Sequence, residues 1–505
     1  MDVTQLIETC VVTGGMSAVL YSINKTETET DMAVLGYLSC SFLLILLHQV
    51  APLFHSNPVQ KTEGIYRSSV SSGLWCSFMI PAICVLAYYD TKTVDKLDTD
   101  LLCILLTLTL TLVHYNPSNV SQIAGALLLL WLKESFKNQD VYSLGLCTVY
   151  SILYYTMLCS LSQLFPKSFS YGECTVVLQS TLLIVNKILF FLAQVKPDDE
   201  KASSFFEYNM IQMSMLAVLG IILATVLLYG LNRWTNKWKF YIVYTVAAVV
   251  CILTGLPKRS LYYSLIICVN YIRDDHIRLY LVALYTSLTI ITVMYMTCLK
   301  TSTPMSMAIR KLFHVIILAV YLPGLYWDTT FLLIASLLAF CVLYVVETKR
   351  YMDVPPFGHL IAEKYKLFID KQDQGPLALT PIYLIFGISL PLWISFTFNM
   401  SVCQVSVYAG VLSVGIGDAI ASLVGRGIGR LKWPGSDKTI EGSVASLGSQ
   451  IITLYCLYRL GNVASSWTVY TVAAVTVTTI LEAVTSQIDN LVLPLFLYIL
   501  LIVKY

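Results

Sequence analysis

Residues 415–442, with the sequence GIGDAIASLVGRGIGRLKWPGSDKTIEG, show how this chain alternates between apolar helices and polar loops. The stretch begins within an apolar run that carries one carboxylate, Asp418, among small residues. It then breaks into a basic loop rich in glycine and ends on KTIEG, where another apolar run begins. Two apolar runs joined by a short polar loop are typical of two membrane helices. The stretch therefore predicts a helical membrane protein with a polar site at one surface.

The composition of the whole chain favours the same class. Of the 505 residues, 57% are hydrophobic and 12% are charged, whereas a soluble domain carries about 25% charged residues. Apolar runs of spanning length predict an all-α polytopic integral membrane protein with about 15–17 transmembrane helices. The net charge of +2 gives no basic excess that would indicate nucleic acid binding. The 14 cysteines are scattered without a CxxC pair, which argues against a zinc site and a disulfide framework.

The apolar runs form two groups that meet near residue 300. The predicted helices lie near 33–54, 71–89, 100–114, 119–134, 142–165, 173–195, 208–230, 238–256, 279–298, 312–327, 329–347, 380–398, 405–425, 443–460, 466–484 and 491–503. Weaker candidates lie at 9–23 and 261–272. Loops before residue 300 are short and mixed in charge, whereas later loops are rich in Gly, Pro and paired charges. We therefore expect an N-terminal membrane region, 1–300, and a C-terminal catalytic core, 301–505.

The polar loops of the C-terminal group are predicted to share one face of the membrane. When its helices alternate sides, the segment before 312, loop 348–379, loop 426–442 and turn 485–490 lie together. The first three carry most of the Lys and Arg residues of this half, and the opposite turns carry almost none. The positive-inside rule places the basic face in the cytosol. Basic flanks can serve as topogenic signals alone, but that role does not explain the carboxylates and glycines among them.

Asp418 is the first candidate functional residue. An ionisable residue inside a membrane span costs at least about 2.5 kcal/mol and is a functional candidate for that reason. The alternatives are an acid that reaches the interface, or one that pairs with Arg426. The same predicted helix carries Gly410, Ser413, Gly417 and Ser422, which would let another helix approach closely.

The loop that follows has features of a phosphate site. Glycines at alternate positions can expose backbone amides to an anion, although the spacing matches neither a Walker A motif nor GxGxxG. Thr439 is a plausible N-cap of the next helix, and helix N-termini bind phosphate. Lys438 would then lie where phosphate charge concentrates. Glu441 could complement the helix dipole, hold a metal or accept a proton. Trp433 could anchor at the interface or stack on a base.

Three further segments on the same predicted face supply charged side chains. Two acids three residues apart can meet on one side of a turn and hold a divalent cation. Carboxylates for a metal and cations for phosphates are the two needs of phosphoryl transfer. The candidates in these segments are Arg310, Lys311, His314, Asp370, Asp373, Glu482, Asp489 and Asn490.

These residues together closely resemble the dolichol kinases. The resemblance is carried by Gly417-Asp418-x-x-Ala421-Ser422-x-x-Gly425, Trp433-Pro434-Gly435, Lys438-Thr439-x-Glu441-Gly442, Glu482, Asp489-Asn490-Leu491 and Pro494. Arg310-Lys311-x-Phe313-His314 and Asp373-x-Gly375-Pro376 look like segments of the same family. The resemblance covers about residues 300–505, and the long apolar N-terminal half also looks like animal members. Asp437 departs from the neutral or basic residue expected before Lys438.

The resemblance implies a transferase of the endoplasmic reticulum membrane whose catalytic loops face the cytosol. It would transfer the γ-phosphate of CTP to the terminal hydroxyl of dolichol, giving CDP and dolichyl phosphate, the lipid carrier for protein glycosylation. A divalent cation, Mg²⁺, would be held by Asp418 and Asp373, and either Glu441 or Asp418 would accept the hydroxyl proton. The expected catalytic residues are Asp418, Lys438 and Glu441. The expected nucleotide-binding residues are Arg426, Gly427, Gly429, Arg430, Lys432, Trp433, Pro434, Gly435, Ser436, Lys438, Thr439, Glu441 and Gly442.

Two other functions are weighed against this one. The first is a CTP-dependent kinase of diacylglycerol or phytol, which shares the C-terminal core but lacks the long N-terminal half. The second is a membrane transporter, which would place its charges near the bilayer midplane on broken or repeated helices. The polar residues here gather at one surface, which favours an interfacial enzyme. We expect membrane lipids around the chain and a role for residues 1–300 in binding the lipid substrate or as a scaffold; no pattern indicates an oligomeric state.

Overall fold

The computed structural model describes residues 3–24, 38–39, 41–43, 45, 65–67, 72–91, 99–115, 141–193, 203–230, 238–255, 261–298, 307–365, 373–398, 405–461 and 469–503. The predicted helix near 119–134 and most of that near 33–54 lie outside the described residues. The candidate Asp370 and the side chain of Arg310 also lie outside them.

The described residues fold into helices without a strand. Both weaker sequence candidates, 9–23 and 261–272, are helices. The helices are α1 (Val3–Asn24), α2 (Met79–Thr91), α3 (Thr99–Tyr115), α4 (Val141–Leu164), α5 (Tyr171–Ala193), α6 (Ser203–Gly230), α7 (Trp238–Gly255), α8 (Leu261–Arg273), α9 (His276–Cys298), α10 (Met307–Trp327), α11 (Thr329–Tyr351), α12 (Gly358–Tyr365), α13 (Thr380–Thr397), α14 (Ala419–Gly427), α15 (Ile440–Arg459), α16 (Val469–Val484) and α17 (Asp489–Ile502).

The predicted class, an all-α polytopic membrane protein, is confirmed. Within the described residues, 7 helices are long and apolar enough to cross a membrane, including Val405–Gly427 with the candidate Asp418. Six shorter apolar helices accompany them in the same part of the chain, among them α16 and α17. The predicted span near 405–425 is not one regular helix, because a π-helix, Val411–Asp418, precedes α14.

The helices form two compact units, and the first contains Met1–Ile184, Gln374–Pro376 and Leu390–Tyr505. At its centre is α17, whose residues from Asn490 to Leu500 are all buried. This helix packs against α1, α2, α16 and the π-helix. A strongly apolar helix that is buried on all sides is typical of the interior of a large membrane bundle. The first unit therefore combines both ends of the chain around one central helix.

The second unit contains Val185–Asp373 and Leu377–Ser389. Within it, α6 packs against α7, α8 and α11. Asp328 caps the N-terminus of α11 by accepting a hydrogen bond from the amide of Phe331, and it also pairs with Arg278 at 2.7 Å. The contact-based division differs from the boundary near residue 300, which rests on loop composition and stays a prediction about function.

The first turn of α5 approaches another segment of the first unit so closely that only glycine fits. A Cβ atom added to Gly172 would lie 1.8 Å from the carbonyl oxygen of Gly73, and the backbone cannot yield at that distance. The amide of Gly172 also donates a 3.0 Å hydrogen bond to the carbonyl of Ser72. By contrast, a Cβ atom on Gly145 in α4 would meet nothing within 4 Å.

We predict that Gly172→Ala destabilises the protein by about 1–3 kcal/mol, because overpacking forces the backbone of residues 72–73 to move. Gly145→Ala is the matched control and is expected to unfold at the wild-type temperature or slightly above it, since alanine favours a helix. Thermal unfolding of both variants in detergent would measure the difference. Equal unfolding temperatures for the two variants would contradict the close approach.

Candidate active site

Asp418 lies at the junction between the π-helix and α14, and it is 7% exposed. The residue before it, Gly417, faces α15: a Cβ atom there would lie 2.7 Å from Nε2 of Gln450 and 3.1 Å from Oγ of Ser446. The predicted close helix approach at Gly417 is therefore present. Short π-helical segments occur often at functional sites, because the extra residue per turn reorients side chains. Here the segment ends on the buried carboxylate.

The loop between α14 and α15 is a short hairpin, residues 428–439. The amide of Trp433 donates to the carbonyl of Lys438 at 3.0 Å, and the amide of Ile440 donates to the carbonyl of Leu431 at 2.8 Å. At the tip, Pro434 and Gly435 form a turn closed by a 3.1 Å hydrogen bond from the amide of Ser436 to the carbonyl of Trp433. Gly435 has φ +70, as a type II turn requires after proline. The Pro-Gly pair thus reverses the chain and aligns the two arms.

The base of the hairpin rests on a second set of close contacts. Thr439 is the N-cap of α15, as predicted, and its Oγ1 accepts a 3.2 Å hydrogen bond from the amide of Gly442. A Cβ atom on Gly429 would lie 2.2 Å from the carbonyl oxygen of Gly425 and 2.6 Å from Oγ1 of Thr439. A Cβ atom on Gly427, in contrast, would meet nothing within 4 Å. Gly425 and Gly427 belong to α14, and of the three glycines only Gly425 and Gly429 pack closely against Thr439.

The carboxylate of Glu441 holds the first arm of the hairpin. Its Oε1 accepts hydrogen bonds from the amides of Arg430 and Leu431, each at 3.0 Å. Backbone amides, first its own and then those of Arg430 and Leu431, lower the pKa of Glu441 below its ordinary value. A carboxylate with a lowered pKa is a weaker proton acceptor. The amide of Arg430, an expected nucleotide-binding residue, is thus bound by Glu441.

Lys438, at the end of the second arm, is the positive centre of the site. Its Nζ donates a 2.7 Å hydrogen bond to the backbone carbonyl of Glu482 and lies 3.7 Å from Oδ2 of Asp489. Burial, the largest influence, lowers the pKa of this ammonium group, but the carboxylates of Asp489, Glu482 and Asp418 together outweigh it and raise the pKa. Lys438 is therefore charged at neutral pH, as a group that binds an anion must be.

Three carboxylates from three segments act electrostatically on this one ammonium group, and that of Asp489 lies 3.7 Å from it. Asp418 is 7% exposed and Glu482 is 5% exposed, whereas the Asp489 side chain keeps 27% of its surface accessible. Asn490 follows, 6% exposed, at the start of α17. In the described part of the chain, no group of three or more His, Cys, Asp or Glu side chains has the arrangement of a metal site. The structure brings together Asp418, Lys438, Glu482 and Asp489, four residues that lie up to 71 positions apart in the sequence.

The other hairpin candidates lie on its outer surface. Lys432 pairs with Asp437 at 3.2 Å, and both side chains are exposed, so this departure from the family pattern has a local partner. Arg426 and Arg430 are exposed as well. The indole Nε1 of Trp433 donates a 3.1 Å hydrogen bond to Oγ of Ser443, which ties the hairpin to α15.

Candidates from the other predicted segments belong to the second unit. Asp373 caps α13: its Oδ1 accepts from the amide of Leu379 at 3.1 Å and its Oδ2 from the hydroxyl of Thr380 at 2.7 Å. His314 in α10 is buried, and Lys311 is half-buried. Both carboxylate oxygens of Asp373 already accept hydrogen bonds at the start of α13, which leaves them less available to a metal. The role of Asp373 as a metal ligand stays a prediction.

Sequence reasoning missed a buried polar group that faces Gly417. Gln450 in α15 is 2% exposed, and its Nε2 donates to the hydroxyls of Ser446 and Thr479, at 3.0 Å and 3.3 Å. The signal was present, since a glutamine within the predicted span 443–460 is an uncommon intramembrane polar residue. The group joins α15 to α16.

We predict that Gly429→Ala loosens the hairpin, because its Cβ atom would collide with the backbone of Gly425. Gly427→Ala is the matched control, two residues away with open space around it. Hydrogen exchange of the amides in residues 428–433 should be faster in Gly429→Ala than in the wild type, and unchanged in Gly427→Ala. The same exchange rates in both variants would show that the hairpin does not pack as described.

The comparisons with known proteins agree on one family. A sequence model of the family described as dolichol kinase matches residues 98–388. Dolichol kinase from Homo sapiens is 30% identical over 410 residues, which cover 77% of this chain and 74% of the relative. Dolichol kinase from Mus musculus is 29% identical over 75% of its length, and that from Saccharomyces cerevisiae is 27% identical over 343 residues, 64% of each chain. No solved structure matches.

The family model begins at residue 98, well before residue 300, so the match extends into the N-terminal half. Both the extent of the family match and the identity to the human relative are sufficient to assign the chain. The chain belongs to the dolichol kinase family.

Proposed function

We propose that this protein transfers the γ-phosphate of CTP to the terminal hydroxyl of dolichol at the cytosolic face of the endoplasmic reticulum membrane. The products are CDP and dolichyl phosphate, which would supply the lipid carrier for protein glycosylation. Family membership supports the lipid alcohol as acceptor. The single structural observation that carries the proposal is Lys438, a charged lysine that pairs with Asp489 and interacts electrostatically with the buried carboxylates Glu482 and Asp418. Cations for phosphates and carboxylates for a metal are what phosphoryl transfer needs.

Lys438 is the group best suited to the transferred phosphate. The pKa of its ammonium group is raised, and the group lies at the end of the hairpin, adjacent to the first turn of α15. Negative charge on the phosphoryl oxygens is stabilised by a fixed cation in a partly desolvated site. The hairpin tip, held by Trp433 and the Pro-Gly turn, would cover the nucleotide, with Arg430 and Lys432 exposed on its arms. The nucleotide phosphates would displace the contact between Lys438 and Asp489.

A divalent cation fits the charges around Lys438. Three carboxylates and one ammonium leave an excess of two negative charges, which a divalent cation would balance. Mg²⁺ is usually held by one or two carboxylates together with substrate phosphates, not by an all-protein cage. That habit agrees with the lack of a three-ligand group in the described residues. The carboxylates that would hold it are Asp489 and Glu482, and when bound it would neutralise charge on the phosphate oxygens.

Asp418 is the carboxylate best placed to accept the hydroxyl proton. The dolichol tail would lie among apolar helices, and its hydroxyl would approach the site from the membrane side, where Asp418 is buried in the span Val405–Gly427. The hydroxyl oxygen attacks the γ-phosphorus, the bond to the β-phosphate oxygen breaks, and CDP leaves with that oxygen. The proton released passes to Asp418. Glu441 is less suited, because two backbone amides occupy its carboxylate and lower its pKa.

The substrate pair is tested with the purified protein and a panel of donors and acceptors. We predict that labelled CTP phosphorylates dolichol faster than it phosphorylates diacylglycerol or phytol, and that ATP is a poor donor. Faster transfer to diacylglycerol or phytol would favour the related lipid kinases instead. Solute flux in vesicles without nucleotide consumption would indicate a transporter.

The roles of the site residues are tested with two pairs of variants. We predict that Asp418→Asn and Lys438→Ala lower kcat by about 100-fold or more, because each removes a group that acts on the reacting atoms. Glu441→Gln and Lys432→Ala carry the same changes of charge at positions away from the reacting atoms and should lose less than about tenfold, the cost of a peripheral contact of about 1.4 kcal/mol. The measurement is the rate of dolichyl phosphate formation at saturating CTP, normalised to protein.

A larger loss in Glu441→Gln than in Asp418→Asn would reverse the assignment of the proton acceptor. Near-normal rates in both Asp418→Asn and Lys438→Ala would place the reaction elsewhere in the chain.

A further inference from the structure

The segment that joins α16 to α17, residues 485–488, is held by two carboxylates from the N-terminal half of the chain. The hydroxyl of Thr485 donates a 2.9 Å hydrogen bond to Oε1 of Glu8, and the amide of Ile488 donates a 2.9 Å hydrogen bond to Oε1 of Glu173. Glu8 lies on α1 and Glu173 in the first turn of α5. Both ends of this segment, hereafter the α16–α17 junction, are thus bound by residues more than 300 positions away in the sequence.

Glu173 is itself held in one orientation. It is 0% exposed, pairs with Arg67, and accepts a 3.0 Å hydrogen bond from the amide of Ser170 at its other oxygen. A buried carboxylate with a paired charge and several hydrogen bonds is costly to displace, because any other position would leave an uncompensated charge. Glu173 therefore presents a fixed acceptor to the amide of Ile488.

Glu8 and Gln487 complete the attachment. Oε1 of Glu8, which is 4% exposed, also accepts a 3.3 Å hydrogen bond from the indole Nε1 of Trp75. The side chain of Gln487, 2% exposed, accepts a 2.5 Å hydrogen bond from the hydroxyl of Ser170. The α16–α17 junction is therefore fixed at its first, third and fourth residues by side chains of the N-terminal half.

The groups that contact Lys438 flank this junction directly. The carbonyl oxygen of Glu482, which accepts the hydrogen bond from Lys438, lies three residues before Thr485. Asp489, whose carboxylate lies 3.7 Å from Nζ of Lys438, follows Ile488 in the chain. A displacement of the junction would therefore move both groups relative to Lys438.

We propose that Glu8 and Glu173 are positioning residues for the phosphoryl-transfer site: they fix the α16–α17 junction and thereby the place of Glu482 and Asp489 around Lys438. The inference rests on the proposed function and extends it, because it assigns a task to the N-terminal half. Catalytic groups that depart from their productive positions by about 1 Å can cost about 100-fold in rate. The N-terminal helices act on the reaction through the geometry of the site, without touching substrate.

The test removes the buried pair as a unit. The double variant Arg67→Met/Glu173→Met takes away the acceptor of the Ile488 amide without leaving a buried charge unpaired, a replacement that buried pairs often tolerate. The matched control is Arg278→Met/Asp328→Met, which removes an ion pair whose carboxylate also caps a helix, in the second unit. Thr485→Val is an isosteric second variant that removes the hydrogen bond to Glu8 and the 3.2 Å hydrogen bond from the amide of Gln487, both within the junction's attachment.

Two readouts are needed: hydrogen exchange of the amides in residues 485–489, and kcat with KM for CTP. We expect faster exchange at these amides in both the Arg67/Glu173 double variant and Thr485→Val. In the double variant we expect kcat to be lower by roughly 10-fold to 100-fold, and KM for CTP to change less than kcat. The Arg278/Asp328 control should match the wild type in the exchange of residues 485–489 and should keep kcat.

The outcomes separate this inference from the proposed function. Wild-type exchange at residues 485–489 in both variants would overturn it, and so would faster exchange with the kcat of the control. If the double variant does not accumulate, the same two readouts on Thr485→Val decide. Failure of the wild-type protein to phosphorylate dolichol would refute the proposed function, whereas the exchange result would still report whether Glu8 and Glu173 hold the junction.

Discussion

The ammonium group of Lys438 organises the polar part of the first unit. It pairs with Asp489 at the start of α17 and is influenced electrostatically by carboxylates at the end of a π-helix and the end of α16. Repulsion among three clustered carboxylates would otherwise raise the energy of the folded state, and one positive charge between them relieves it. The same arrangement leaves an excess of negative charge, which suits a divalent cation and a nucleotide that arrives with it. Lys438 thus relieves repulsion among the carboxylates and also supplies the positive charge that a phosphate would contact.

The hairpin places Lys438 within reach of Glu482 and Asp489. Its tip is formed by Pro434 and Gly435, and its base is fixed by Thr439 and Glu441. The carboxylate of Glu441 takes up two backbone amides that would otherwise face solvent or a ligand. Glu441 therefore belongs to the support of the loop, and Asp418 is left as the buried acid beside the membrane. The division follows from hydrogen bonding, because the two acids are equivalent in type.

The N-terminal half contributes to the site through two hydrogen bonds to the α16–α17 junction. Glu8 and Glu173 lie in helices that carry no recognisable chemical motif, and each uses its carboxylate to hold the α16–α17 junction. The central helix α17 packs against α1 and α2 as well as α16, so the site is built on a core to which both ends of the chain contribute. The family match begins at residue 98 and includes Glu173, so the N-terminal half belongs to the family region as well.

Local features of the sequence were sufficient for the class of fold and for some of the local structure around the candidate site. Apolar run length predicts helices in a membrane, since unpaired backbone groups cannot remain in lipid, and the Pro-Gly turn and the Thr439 N-cap follow from backbone geometry alone. The partners of each charge were decided only by the tertiary structure. The sequence could not separate Glu441 from Asp418, place Lys438 between Glu482 and Asp489, or connect Glu173 to Ile488. Coulombic and hydrogen-bond energies depend on distances across the fold, and residues hundreds of positions apart acquire those distances only when the helices pack.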